Sequence, residues 1–271
     1  MAATSTPGNP WRQASDLVVD RWLYERRPAA DLAHRLLRVW RGDLSQATTL
    51  LPDERIDLYW TGRGLWVSGP ETRSLPFSAT PGHEVVGVAF RPGRSVFGVP
   101  ATELLDTRVP LDRLWSDRRV RELEARLGDR ADGDGLAAEL EAAVRRADRD
   151  AGPVDPVALE VAAALRAGPD RGVADLAAAT GLSPRQVHRR CAAAFGYGPS
   201  YLRRIMRVRR LLGIARRAGP PSSLAAIALQ AGYADQQHLA HESRAIFDRT
   251  PKELLRVRPQ SPANARGLSI P

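Results

Sequence analysis

Apolar positions fall into two spacings that divide the chain. From Leu17 to about Val109 they come in short runs bounded by Gly and Pro: Leu17-Val18-Val19, Ile56-Asp57-Leu58-Tyr59-Trp60, Leu65-Trp66-Val67 and residues 85–90. Runs of that length, closed by turn residues, predict strands, and Thr61-Gly62-Arg63-Gly64 between two of them predicts a hairpin. An amphipathic stretch at residues 29–40 fits a helix or a strand. After Val109 the spacing becomes helical. Leu114, Trp115, Val120, Leu123 and Leu127 share one face, and Gly133-Asp134-Gly135 precedes a second helix over 136–149. Ala151-Gly152-Pro153 reads as a linker, and an all-helical stretch follows from Pro156 to about Val257.

Within that stretch one pattern occurs twice. Residues 173–195 and 224–247 each read as an apolar helix, a glycine turn, and a capped helix with a polar outer face. Gly181 and Gly232 mark the two turns, and Ser183-Pro184 and Asp235 open the second helices. Glycine suits the left-handed turn that ends a helix, Ser or Asp caps the next one, and Pro fits its first position. In the first copy Val187, Cys191 and Ala194 face inward, and Arg185, His188 and Arg189 outward, flanked by Gln186 and Arg190. The corresponding outer positions of the second copy are Gln237, Ala240 and His241, with Gln236 beside them. Arginine, histidine and glutamine are residues that read base edges. Residues 199–217 predict one connecting helix; about 18 residues at 1.5 Å each span roughly 27 Å, close to the ~34 Å between successive major-groove faces.

Charge follows the same division. The formal charge is +9, yet residues 1–155 hold 22 Arg against 24 acidic residues, whereas 156–258 hold 17 basic against 7 acidic. A polyanion is therefore expected to meet only the second half. Candidate phosphate contacts are Ser183, Gln186, Arg190, Arg203, Arg204, Arg207 and Arg210. Cys191 is the only cysteine, so neither an internal disulfide nor a cysteine-based zinc site is available. There is no apolar run of membrane-spanning length and no export signal near residue 1, which predicts a cytoplasmic protein without a membrane partner.

Residues 157–258 resemble the AraC/XylS family of transcription regulators. The resemblance rests on Leu176-Ala177 with Gly181-Leu182-Ser183, on Phe195-Gly196-Tyr197-Gly198-Pro199, and on Ile227-Ala228 with Gly232-Tyr233-Ala234-Asp235-Gln236-Gln237-His238-Leu239. The ending Phe247-Asp248-Arg249-Thr250-Pro251-Lys252-Glu253-Leu254 belongs to it as well. It implies that the second helix of each unit enters the major groove, with Arg185, His188, Arg189, Gln236, Gln237 and His241 facing bases. Cys191 and Ser243 depart from the large aromatic residues usual at their positions. The first half resembles, more distantly, the sensor-like domain of an actinobacterial-type branch of that family, through segments such as Ile56-Asp57-Leu58-Tyr59-Trp60 and Trp66-Val67-Ser68-Gly69-Pro70. That resemblance implies a cupin-like barrel.

The expected fold class is α+β, a β-rich barrel followed by helices and an all-α double helix-turn-helix domain. The expected divisions are 1–127 for a sensor or oligomerisation domain, 128–155 for a helical linker, 156–258 for the DNA-binding domain and 259–271 for a disordered tail. Trp40, Trp60 and Trp66, together with Trp22, are candidates to line an effector pocket or to fill the core. Only His34 and His83 precede residue 155, too few for a cupin metal centre. No phosphate loop, serine elbow or activated cysteine is present, so no catalytic residue, metal or cofactor is predicted. The function predicted is sequence-specific transcription regulation on double-stranded DNA, with RNA polymerase, a small effector and a second copy as further partners. Non-specific DNA packaging, or a small-molecule enzyme fused to a DNA binder, are the other readings.

Overall fold

The computed structural model describes residues 9–14, 23–44, 48–77, 83–93, 96–147, 154–168, 171–218 and 223–256. The expected strand at 17–19, Trp22, the linker at 151–153 and the tail at 259–271 lie outside them.

The first half is built on one antiparallel sheet. Its strands are β1 (Arg12–Ala14), β2 (Leu23–Arg26), β3 (Leu36–Gly42), β5 (Asp57–Trp60), β6 (Leu65–Ser68), β8 (Val85–Phe90) and β9 (Arg108–Pro110), in the order β1-β2-β3-β8-β5-β6-β9. A separate ribbon pairs β4 (Thr48–Leu50) with β7 (Leu75–Phe77). The stretch at 29–40 splits into a short 3-10 turn at 30–32 and the start of β3, whose pairing with β8 carries a register shift between Leu36 and Arg38.

Period-2 alternation gives the sheet two different faces. Val86, Val88 and Phe90 of β8, with Leu58 and Trp60 of β5, turn toward α1 (Asp117–Gly128) and α2 (Gly133–Arg146). Val85 and Ala89, with Trp40 of β3 and Tyr59 of β5, turn toward Phe77 of the ribbon. Gly87 lies opposite both Trp40 and Tyr59, and a Cβ there would meet the Trp40 ring at 2.5 Å. The ring thus lies where only a glycine leaves room. Residues 128–155, expected as a linker, contain α2, whose Leu136, Leu140 and Val144 are buried in the first of these cores. Glu141 of α2 accepts from the backbone N–H of Ala29 at 2.6 Å and pairs with Arg26 at 2.8 Å, fastening the helix to the sheet.

The second half is all helix: α3 (Pro156–Ala167), α4 (Val173–Thr180), α5 (Pro184–Phe195), α6 (Pro199–Ala218), α7 (Leu224–Ala231), α8 (Gln236–Phe247) and α9 (Pro251–Arg256). Their apolar faces share one core around Val187, Phe195, Leu202, Leu211, Ala228, Leu239 and Ile246. Cys191 and Ser243 are both fully buried in it, and the Ser243 hydroxyl donates to the Arg249 carbonyl at 2.8 Å. That bond ties α8 to the loop that follows it.

The two halves are joined along a continuous seam. Leu51 is buried in the helical core, and Leu105 packs against it. The Ser74 N–H donates to the Ile246 carbonyl at 2.9 Å, the Gly93 N–H to that of Ala194 at 3.3 Å, and the Tyr201 hydroxyl to that of Thr72.

Candidate nucleic-acid interface

Each helix-turn-helix unit is set by local chemistry. Gly181 ends α4 at φ 66°, and the Leu182 N–H returns to the Ala177 carbonyl at 3.1 Å. Ser183 then caps α5: its hydroxyl accepts from the Gln186 N–H at 3.3 Å, while Gln186 Oε1 accepts from the Ser183 N–H at 2.9 Å. This reciprocal box fixes the start of the helix. In the second unit Gly232 takes φ 92°, the Tyr233 N–H returns to the Ala228 carbonyl at 3.0 Å, and Asp235 accepts from the His238 N–H at 2.7 Å. The same backbone course is thus built twice with different caps.

Both second helices are amphipathic in the sense that DNA reading requires. On α5 Val187, Cys191, Ala194 and Phe195 are buried, whereas Arg185, His188 and Arg189 are exposed. On α8 Leu239, Ser243, Ile246 and Phe247 are buried, whereas Gln236, Gln237 and His241 are exposed. The sequence reading passed over Arg244. It is exposed three residues beyond His241, a spacing that extends the same face. The Cys191 thiol is pushed up to about 12 by burial, which leaves it a core residue without nucleophilic character. The connecting helix α6 has 20 residues; at 1.5 Å per residue it is about 30 Å long.

The phosphate candidates divide sharply. Arg210 is exposed, and Ser183 and Gln186 are exposed but engaged in their cap. Arg190 pairs with Asp155 at 3.0 Å, so it holds the N-terminus of α3 to α5. Arg203 donates to the Arg171 carbonyl at 3.2 Å. Arg204 and Arg207 both close on Glu242 of α8, at 3.2 and 2.5 Å. Arg207 is 7% exposed, and this burial corrects its assignment to a phosphate contact. Glu242, missed from the sequence, collects these two guanidiniums and His238 Nε2 at 3.7 Å. Its spacing of four from His238 was the available signal.

The three tryptophans do not share a cavity. Trp40 faces the ribbon, Trp60 faces the helices from the other side of the sheet, and Trp66 packs against the Trp40 cluster while bordering an open groove with Leu65, Asp117, Val120 and Glu124. Among the described residues no group of three or more His, Cys, Asp or Glu is placed to hold a metal ion, and no helix is long and apolar enough to cross a membrane.

Comparison with known proteins adds to this geometry. Residues 176–256 match the family model for a helix-turn-helix domain. No curated protein matches the chain. Several solved structures of ToxT from Vibrio cholerae are similar. An apo point variant from strain SCE256 is 12% identical, covers 86% of this chain and 99% of that one, and has a TM-score of 0.47. A second ToxT structure is 9% identical over 80% of this chain and 96% of that one, with a TM-score of 0.45. A ToxT structure with an unsaturated fatty acid bound is 8% identical over 81% and 94%, with a TM-score of 0.45.

Proposed function

We propose that this chain is a transcription regulator of the AraC type, in which the helix-turn-helix domain matched over residues 176–256 reads two successive major-groove faces with α5 and α8. Arg185, His188 and Arg189 contact bases in one face, and Gln236, Gln237 and His241 in the next. The observation that carries this reading is the matched exposure of both polar faces, each backed by a buried apolar face on the same helix. The seam with the first half leaves these six side chains uncovered or nearly so, which supports a chain competent to meet DNA without separating its halves.

The DNA-binding part is assigned to residues 156–258 and the sensing or self-association part to the sheet and the helices packed on it. An effector, a second copy or RNA polymerase then acts through how that first part presents the reading helices. The test is a footprint and affinity titration at physiological salt on DNA flanking the protein's own gene, with scrambled duplex as control. Two protected major-groove faces, with roughly 10³-fold or greater preference over scrambled DNA, are expected. Equal affinity for both duplexes, with a steep salt dependence, would instead identify a packaging protein.

A further inference from the structure

The helices α5 and α8 end in the same way. Gly196 and Asp248 take left-handed conformations, at φ 83° and 51°, and return their N–H groups to the Ala192 and Arg244 carbonyls at 2.9 and 3.0 Å. The carbonyls that follow those two lie beyond any amide of their own helix. In each helix the penultimate carbonyl is taken by a backbone N–H of the first half. Gly93, just past β8, donates to Ala194 at 3.3 Å, and Ser74, just ahead of β7, donates to Ile246 at 2.9 Å. Ala194 and Ile246 are 52 residues apart, the offset that also carries Arg189 onto His241. The first half therefore holds both reading helices at equivalent atoms.

Each hold is braced. Gly93 takes φ 92°, and a Cβ on it would meet Leu159 Cδ2 of α3 at 2.8 Å, so glycine is what brings this N–H so close. Its carbonyl accepts from the Asp155 N–H at 3.4 Å, and Asp155 pairs with Arg190 of α5. At the other hold, Asp106 accepts from the Thr72 N–H and hydroxyl at 2.7 and 2.6 Å. The Thr72 carbonyl in turn accepts from the Tyr201 hydroxyl of α6. Arg249, next to the left-handed residue that ends α8, donates to Thr49 of β4 at 3.3 Å. Phe77 of β7 shares a buried cluster with Val85 and Ala89 of β8, so the distance between the two holds is set within the first half.

We propose that the first half is a two-point frame for reading DNA: it fixes the separation and relative angle of α5 and α8, with Gly93 and Ser74 as positioning residues. The inference rests on α5 and α8 meeting successive major-groove faces. Apart from these holds the two units are joined through α6 and the core around it. Moving one sub-site by one base pair displaces it by roughly 3.4 Å and about a tenth of a turn. A fixed pair of readers rejects that displacement, and a loosened pair follows it.

The test uses the duplex that the full chain selects from a random pool, with its two protected sub-sites. Affinity is measured for that duplex and for versions with one base pair added to or removed from the spacer. The wild-type chain is expected to lose about tenfold or more on either change, as a misplaced set of base contacts requires. Ser74→Pro deletes one holding N–H. It should cut the loss to about threefold or less, with base preferences inside each sub-site as before. Asp106→Gly is the second variant. Glycine suits the left-handed conformation at φ 55°, so the chain should fold, and only the brace on Thr72 is lost. It too should lower the spacer penalty. A role in stability alone would weaken binding to all three duplexes in proportion and leave their ratio unchanged. Ser74→Pro decides where it folds, and Asp106→Gly decides where it does not; a wild-type ratio in the deciding variant overturns the proposal and leaves the DNA reading intact. A chain that selects no two-part duplex overturns the DNA reading and this inference with it.

Discussion

Arg209 Nη1, on α6, lies 3.1 Å from Glu54 Oε2, at the entry to β5. The two side chains are 24% and 9% exposed, so the pair is neither a surface contact nor a fully buried one. Replacing Glu54 by Gln should therefore destabilise the chain by about 1–3 kcal/mol, between the values for exposed and buried pairs. Because the bridge joins the halves, amide exchange should rise together in residues 48–57 and 199–215. A rise confined to one side would mean that the bridge does not couple them.

Arg207 and Arg210 stand three residues apart on α6 and should behave oppositely. Arg210→Ala removes an exposed charge, so binding should weaken about equally on every duplex and the salt slope should fall by about one phosphate, with stability nearly unchanged. Arg207→Ala leaves Glu242 buried without its closest partner and should destabilise the fold by about 3 kcal/mol or more. Urea unfolding and a salt series of filter-binding curves distinguish the two. Loss of salt dependence in Arg207→Ala without loss of stability would return that residue to the DNA surface.

Arg189→Ala should lower affinity for the specific site by about 1–3 kcal/mol and relax the preference at one base pair. A variant with unchanged affinity and preference would take Arg189 out of the base-reading set.

Much of this was readable from local pattern. Gly181 with Ser183-Pro184, and Gly232 with Asp235, announce a helix end and a helix start within a few residues, and such signals need no knowledge of the rest of the fold. The fate of the arginines on α6 was not local. Arg207 is buried because Glu242, 35 residues later, comes to face it, whereas Arg210 has the same local surroundings in sequence and stays exposed. The placing of the tryptophans was not local either. Trp40 and Trp60 belong to strands separated by β8, and a register shift near Leu36 decides which face Trp40 takes. The pairing of the Trp40 indole with Asp57 follows from that three-strand register, which periodicity along one strand cannot supply.

Stability should also carry an unusual pH dependence from the first half. Burial and the nearby Asp53 outweigh Arg108 at Glu71 and push its carboxyl up to about 8, and Asp57 is pushed up to about 6. Both values lie above those of the unfolded chain, so the native state holds protons that the unfolded state releases. Their stabilising contribution is complete below the ordinary carboxylate range and is lost as pH rises through about 6 and then about 8. Urea midpoints should fall across that window, and Glu71→Gln should flatten its upper part. An unchanged slope in that variant would place the proton elsewhere.

The last prediction concerns how a reading side chain is aimed. A Cβ on Gly198, at the entry to α6, would meet Cδ2 and Nε2 of His188 at 2.4 Å. That contact is with the end of a side chain on an exposed helix face, so Gly198→Ala should swing the imidazole away and leave the backbone in place. Stability should change by less than about 1 kcal/mol, while affinity for the specific site falls about as far as in His188→Ala. A double-mutant cycle then decides the route: once His188 is alanine, the Gly198 substitution has no ring left to displace and should add nothing. If Gly198→Ala weakens binding equally in both backgrounds, it acts through the junction of α5 and α6, and the imidazole is not what the glycine makes room for.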